Sequence, residues 1–118
     1  MLSLTNVAQY NDFIFALCSF LDEFKRSDNK YEMIEHPPLE DGADRVNLCI
    51  LAATAHKLAN DHQIPVPKWV YGAQYRMPHP IFAFNTTNRE YQEFLIEDTP
   101  YEFASKNIYH GANAIERV

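Results

Sequence analysis

The chain has 118 residues, 47% of them hydrophobic, and a formal net charge of −6 at pH 7. That is the size of one domain and the make-up of an ordinary folded one, which excludes wholesale disorder and a collagen-like fibre. Its longest apolar stretches, 13–21 and 48–55, stop well short of the roughly 20 residues that cross a bilayer, and 16 Asp and Glu against 10 Lys and Arg argue against a general nucleic-acid binder.

Val7, Tyr10, Ile14, Leu17, Leu21 and Phe24 recur at spacings of three and four, predicting a first helix over about residues 6–26. Phe13, Phe15, Cys18 and Phe20 widen that face, so the helix is buried on more than one side or covers a partner. Thr5 or Asn6 can cap its start, and Lys25 and Arg26 suit the negative end of its dipole. Residues 27–43 read as irregular. Ser27, Asp28 and Asn29 end the helix, Pro37 and Pro38 prevent another, and Asp41-Gly42 turns the chain. Glu32, Glu35, Glu40 and Asp41 make this the most acidic stretch, suited to a basic partner.

A second helix is expected over 43–62. Leu48, Leu51, Ala52, Ala55, Leu58 and Ala59 form one face, and Val46, Cys49, Ile50 and Ala53 a second. A helix apolar on two sides belongs at the centre of its domain, and its alanines let neighbours approach closely. Pro65 and Pro67 then impose an extended arm over 64–70. Residues 71–88 look loop-like yet hold Tyr71, Tyr75, Met77, Ile81, Phe82 and Phe84, which loops rarely leave in water, so these groups either finish the core or make a contact surface.

A third helix is predicted over about 87–97, with Tyr91, Phe94 and Leu95 inward and Glu90, Glu93 and Glu97 on a solvated face. Thr99-Pro100-Tyr101-Glu102 reads as a new helix start, and that helix ends near Lys106-Asn107. Residues 108–111 form a turn or short extended piece, and 112–118 a final helical turn. With no repeat and no linker, residues 1–118 make one all-α domain: a compact orthogonal or antiparallel bundle of about four to five helices with a proline-rich extended arm.

Catalytic signatures are missing. There is no CxxC, HExxH, GxSxG or SxxK, and three scattered glycines cannot build a P-loop or a Rossmann turn. Cys18 and Cys49 read as reduced thiols packed as small hydrophobes. His56 and His62 sit about 120° apart around their helix and cannot grip one ion together. No cofactor and no metal are therefore expected. Residues 1–5 lack the features of a secretory leader, and Glu116-Arg117-Val118 matches no lipidation or retention signal, so a cytoplasmic protein is expected.

Eight Phe, seven Tyr and one Trp are the most unusual feature. Trp69, Tyr71, Tyr75 and Arg76 fall together, and these residue types either complete a small core or are enriched at protein contacts. The stretch from Leu58 through Pro65-Val66-Pro67-Lys68-Trp69-Val70, the step Glu97-Asp98-Thr99-Pro100-Tyr101 and the ending Ala114-Ile115-Glu116-Arg117-Val118 resemble a bacterial helical domain over residues 46–118. That domain often follows a helix-turn-helix segment in proteins described as regulators or antitoxins. No helix-turn-helix is recognisable in this chain, so the resemblance implies a regulatory role exerted through a protein partner. The expected function is thus a non-catalytic interaction domain, antitoxin- or mobile-element-associated. It would bind a protein partner, or a second copy, through Trp69, Tyr71, Tyr75 and Arg76. The alternative is a small metal-dependent hydrolase using His36, His62, His79 or His110 with nearby carboxylates.

Overall fold

The computed structural model describes residues 4–111, so the helical turn expected over 112–118, and the ending that shares in the resemblance, lie outside the described residues. Among the described residues six α-helices follow one another: α1 (Leu4–Val7), α2 (Phe13–Arg26), α3 (Lys30–Ile34), α4 (Arg45–Asp61), α5 (Arg89–Asp98) and α6 (Tyr101–Ala104). Two short strands, β1 (Ile81–Phe82) and β2 (Ile108–Tyr109), pair in parallel with Ile81 opposite Ile108 and Phe82 opposite Tyr109. The molecule is mostly helical, as the periodicity predicted, with this small sheet added.

The one helix expected over 6–26 is two. Asp12, not Thr5 or Asn6, caps α2: its Oδ1 accepts the Phe15 N–H at 3.0 Å. Before it, the Gln9 N–H reaches the Asn6 carbonyl at 3.1 Å and turns the chain. The reversal folds Leu4, Val7 and Ala8 back onto α2, and burying them is what a continuous helix would forgo. Phe13, Leu17, Phe20, Leu21 and Phe24 fill the core from α2, whereas Ile14 and Phe15 on its other side stay exposed.

The stretch 27–43 is not wholly irregular, because α3 forms within it and buries Met33 and Ile34. Lys30 at its start donates to the Ser27 carbonyl at 2.7 Å and the Lys25 carbonyl at 3.4 Å. It thereby satisfies acceptors left over at the end of α2. Its ammonium also lies 5.8 Å from the centre of the Phe24 ring.

Helix α4 is the centre of the fold. The Asp44 side chain caps it through the Val46 N–H at 2.8 Å. Leu48, Leu51, Ala52, Ala55, Leu58 and Ala59 join the core built on α1 and α2, while Cys49 and Ala53 meet Phe103 of α6 and Ile108 of β2. The two-faced pattern of the sequence is therefore two separate contacts. The helix ends in a Schellman motif: Gln63 turns left-handed at φ 57°, and the Ile64 N–H returns to the Ala59 carbonyl at 3.0 Å.

The arm is extended only as far as Pro67; Lys68–Tyr71 and Ala73–Tyr75 then make two 3-10 turns packed on α4. Beyond them the Met77 N–H bonds to the Lys106 carbonyl at 3.0 Å and Asn107 Nδ2 to the Met77 carbonyl at 2.7 Å. The Ile81 N–H completes the tie on the Asn107 carbonyl at 2.8 Å. These bonds stitch the aromatic loop to the α6–β2 segment. The radius of gyration, 13.7 Å, matches the roughly 13.5 Å of a compact chain of this length.

Candidate functional site

Trp69, Tyr71, Tyr75 and Arg76 fall on one segment, and the structure gives them unequal surroundings. Tyr75 is 1% exposed and sits in the main core. Trp69 is half-buried, meets the Tyr75 ring edge-on at 5.3 Å and donates its Nε1–H to the Ile34 carbonyl at 2.9 Å. Arg76 is exposed, but its Nε donates to the Ser105 carbonyl at 3.2 Å. Its own carbonyl accepts from Arg45 Nη2 at 2.8 Å. Of the four, Tyr71 alone presents a large ring to solvent, at 64% exposure. Within 69–76, of the four residues expected to meet a partner, Tyr71 and Arg76 are exposed, Trp69 is half-buried and Tyr75 is buried.

Tyr71 leans over a second arrangement. His56 of α4 is 5% exposed, and its ring meets Tyr71 at 5.4 Å and Tyr101 of α6 at 6.2 Å, both edge-on. Its Nδ1 has no hydrogen-bond partner among the described residues. Burial lowers the His56 pKa, against the carboxylate of Glu102, which raises it; Lys106 lowers it further. Lys106 is itself buried and donates Nζ to the Val70 carbonyl. Burial lowers its pKa too, while that of the nearby Cys49 thiol is raised, again chiefly by burial. The Tyr71 and Tyr101 rings cover the His56 imidazole. With Lys106 and Cys49 it forms a buried polar seam joining α4, α6 and the 3-10 turns.

A further exposed aromatic surface lies on the segment that leads into α5 and on α5 itself. Between β1 and α5 the chain reverses over Ala83–Thr86, with the Thr86 N–H on the Ala83 carbonyl at 3.2 Å and both Phe84 and Asn85 at positive φ, 57° and 51°. That is the geometry of a type I′ turn, which favours Asn or Gly at its first central position. Phe occupies it here, and its side chain is 92% exposed. The left-handed backbone costs a bulky residue about 1–2 kcal/mol, and no burial offsets it. The segment is nonetheless well fixed. Asn88 caps α5 through the Tyr91 N–H at 2.9 Å, and Gln92 Nε2 reaches back to the Thr86 carbonyl at 2.9 Å. At the other end the buried Gly111 N–H bonds to Thr99 Oγ1 at 3.0 Å.

Helix α5 is anchored by a single fully buried side chain, Leu95. Phe94, expected to face inward, is 55% exposed, and Tyr91 stacks on it with ring centres 6.3 Å apart and planes 10° from parallel. Glu90, Glu93 and Glu97 are exposed as predicted. The sequence leaves Phe84 open between core and contact surface and places Phe94 inward, and both are exposed. The Phe-Asn pair preceding a Thr-Thr-Asn cap is the signal that favours the surface for Phe84, whereas periodicity assigns Phe94 to a core that takes Leu95 alone from α5.

The histidines do not assemble. His36, His62 and His79 are exposed, and His62 packs edge-on against Phe24 at 5.2 Å. His110 is half-buried, and burial lowers its pKa. Among the described residues no three His, Cys, Asp or Glu side chains are grouped to hold a metal ion. Cys18 is half-buried and Cys49 buried, and neither is in a disulfide. A shallow groove of about 490 Å³ at the α2–α3 junction is lined by Ser27–Glu32 and Ile64. Lys30, the cation there, is engaged by main-chain carbonyls. Among the described residues no helix is long and apolar enough to cross a membrane.

Compared with family models, curated proteins and solved structures, the chain matches none. None of these comparisons bears on the resemblance over residues 46–118.

Proposed function

We propose that this chain is a non-catalytic interaction domain that binds a protein partner through the Phe84 turn and the exposed side of α5. The observation that carries the reading is Phe84, a bulky side chain held in solvent on a left-handed backbone. Strain and apolar exposure both lower stability, and where they coincide in a well-fixed segment they point to a contact made with another molecule. The Tyr91–Phe94 stack on the helix that follows adds aromatic area of the kind that anchors interfaces. Occlusion of a partner's surface is the mode this supports. A regulator or antitoxin setting, which the resemblance implies, is consistent with it.

The test replaces Phe84 with photo-reactive benzoylphenylalanine and irradiates the cells that express the protein. A discrete cross-linked species is expected from position 84 and not from the same group at Glu35. In parallel, Phe84→Asn relieves the turn, so it should raise stability by about 0.5–1 kcal/mol while weakening capture of the cross-linked partner. No species from position 84, or the same species from both positions, would overturn the reading.

A further inference from the structure

The exposed side of α5 also carries a charge pattern that selects among partners. On a helix the neighbours of Phe94 are the residues three and four away: Glu90 and Tyr91 before it, Glu97 and Asp98 after it. The stacked Tyr91–Phe94 pair is thus bordered by carboxylates at both ends. Among the described residues neither Glu90 nor Glu97 has an ion-pair partner, and the helix's one basic residue, Arg89, is engaged by Glu93 at 3.5 Å.

Resting on the interaction reading above, we infer that this face docks a basic amphipathic protein segment. Such a segment would place an apolar side chain on the Tyr91–Phe94 stack and flank it with Lys or Arg that reach Glu90 and Glu97. The same carboxylates disfavour the other occupants. Phosphates of nucleic acid and anionic lipid headgroups would meet them at like charge. A second copy paired two-fold and antiparallel through α5 at Phe94 would set Glu90 of each copy near Asp98 of the other, again at like charge. With a net charge of −6 on the whole chain, long-range steering also favours a cationic partner.

The experiment titrates the intact protein with two synthetic amphipathic peptides of identical apolar positions, one with lysine and one with glutamate at the polar positions. The readouts are fluorescence anisotropy and amide chemical shifts. The lysine peptide should bind, shifting the amides around Glu90, Phe94 and Glu97. Phe94→Ala should weaken it by about 10-fold or more. Glu90→Gln with Glu97→Gln should weaken it several-fold at roughly 50 mM salt and little at roughly 500 mM.

Equal binding of the glutamate peptide would overturn the proposal. So would shifts centred on Ile14 and Phe15, absence of binding at about 1 mM peptide, or a dimer in sedimentation that Phe94→Ala dissolves. Cross-linking from position 84 without lysine-peptide binding keeps the interaction domain and discards the basic partner. Failure of both discards the two together.

Discussion

The structure makes Trp69 part of the scaffold, and Trp69→Phe tests that directly. Phenylalanine keeps an aromatic ring beside Tyr75 but removes the Nε1–H that bonds the Ile34 carbonyl at 2.9 Å. Loss of such a bond costs about 1 kcal/mol net. The smaller ring gives up part of an edge-on contact worth about 0.5–1.5 kcal/mol. The expected loss is about 1.5–2 kcal/mol, a large share of the roughly 5–15 kcal/mol that holds a domain together. For a chain of this length it corresponds to a fall in Tm of roughly 6–8 °C. Urea melts followed by far-UV circular dichroism read it without depending on tryptophan emission, and the slope should stay constant while the midpoint falls. Tyr71→Ala is the comparison. It removes a ring that is 64% exposed and should cost less than about 1 kcal/mol. A Trp69→Phe midpoint equal to that of the parent, or an equal loss from Tyr71→Ala, would refute the assignment and return Trp69 to the contact surface.

Two further outcomes follow from the polar seam and the end of α4. Burial holds the folded His56 pKa below its unfolded value of about 6.5. Between those values the unfolded chain binds more protons, so stability rises with pH; it is fully present above about 6.5 and is lost as pH falls through the folded value. The slope contributed by one group is at most about 1.4 kcal/mol per pH unit. His56→Gln should flatten the profile below about pH 6.5, leaving the part due to His110, whose pKa burial also lowers; denaturant melts in a pH series with parallel profiles for parent and variant would contradict this. At Gln63, which takes φ 57° in the Schellman position, Gln63→Gly should raise stability by about 0.5–1 kcal/mol, and a lowered thermal midpoint would show that its side chain matters more than its backbone.

Where one period runs through a buried element, the sequence is a sufficient guide. Helix α4 is expected over 43–62 and spans Arg45–Asp61, with its two apolar faces meeting two different packing partners. Where short elements are held by tertiary contact, the pattern misleads. Tyr10 continues the phase of α2 but lies in the turn that separates α1 from α2, and is exposed. Helix α3 is too short to display a period and exists because Met33 and Ile34 are buried. The buried Lys106 offers no local signal at all, since its acceptor is the Val70 carbonyl, far away along the chain.

The aromatic residues show why composition alone could not separate scaffold from surface. Tryptophan and tyrosine suit interfaces because they combine large apolar area with a polar tip, and the same property lets them close a small core at its edge. Trp69 does the latter, its ring packed on Tyr75 and its N–H on a main-chain acceptor. Phe84 has no polar tip to satisfy, and at 92% exposure it has almost no burial. It occupies a turn position that Asn or Gly would fill with less strain. The distinction between the two rings therefore rests on whether residue type and local conformation agree. At Trp69 they agree, and the fold accounts for the residue. At Phe84 they do not, the fold alone does not account for the residue, and that mismatch is the ground for the contact proposed above.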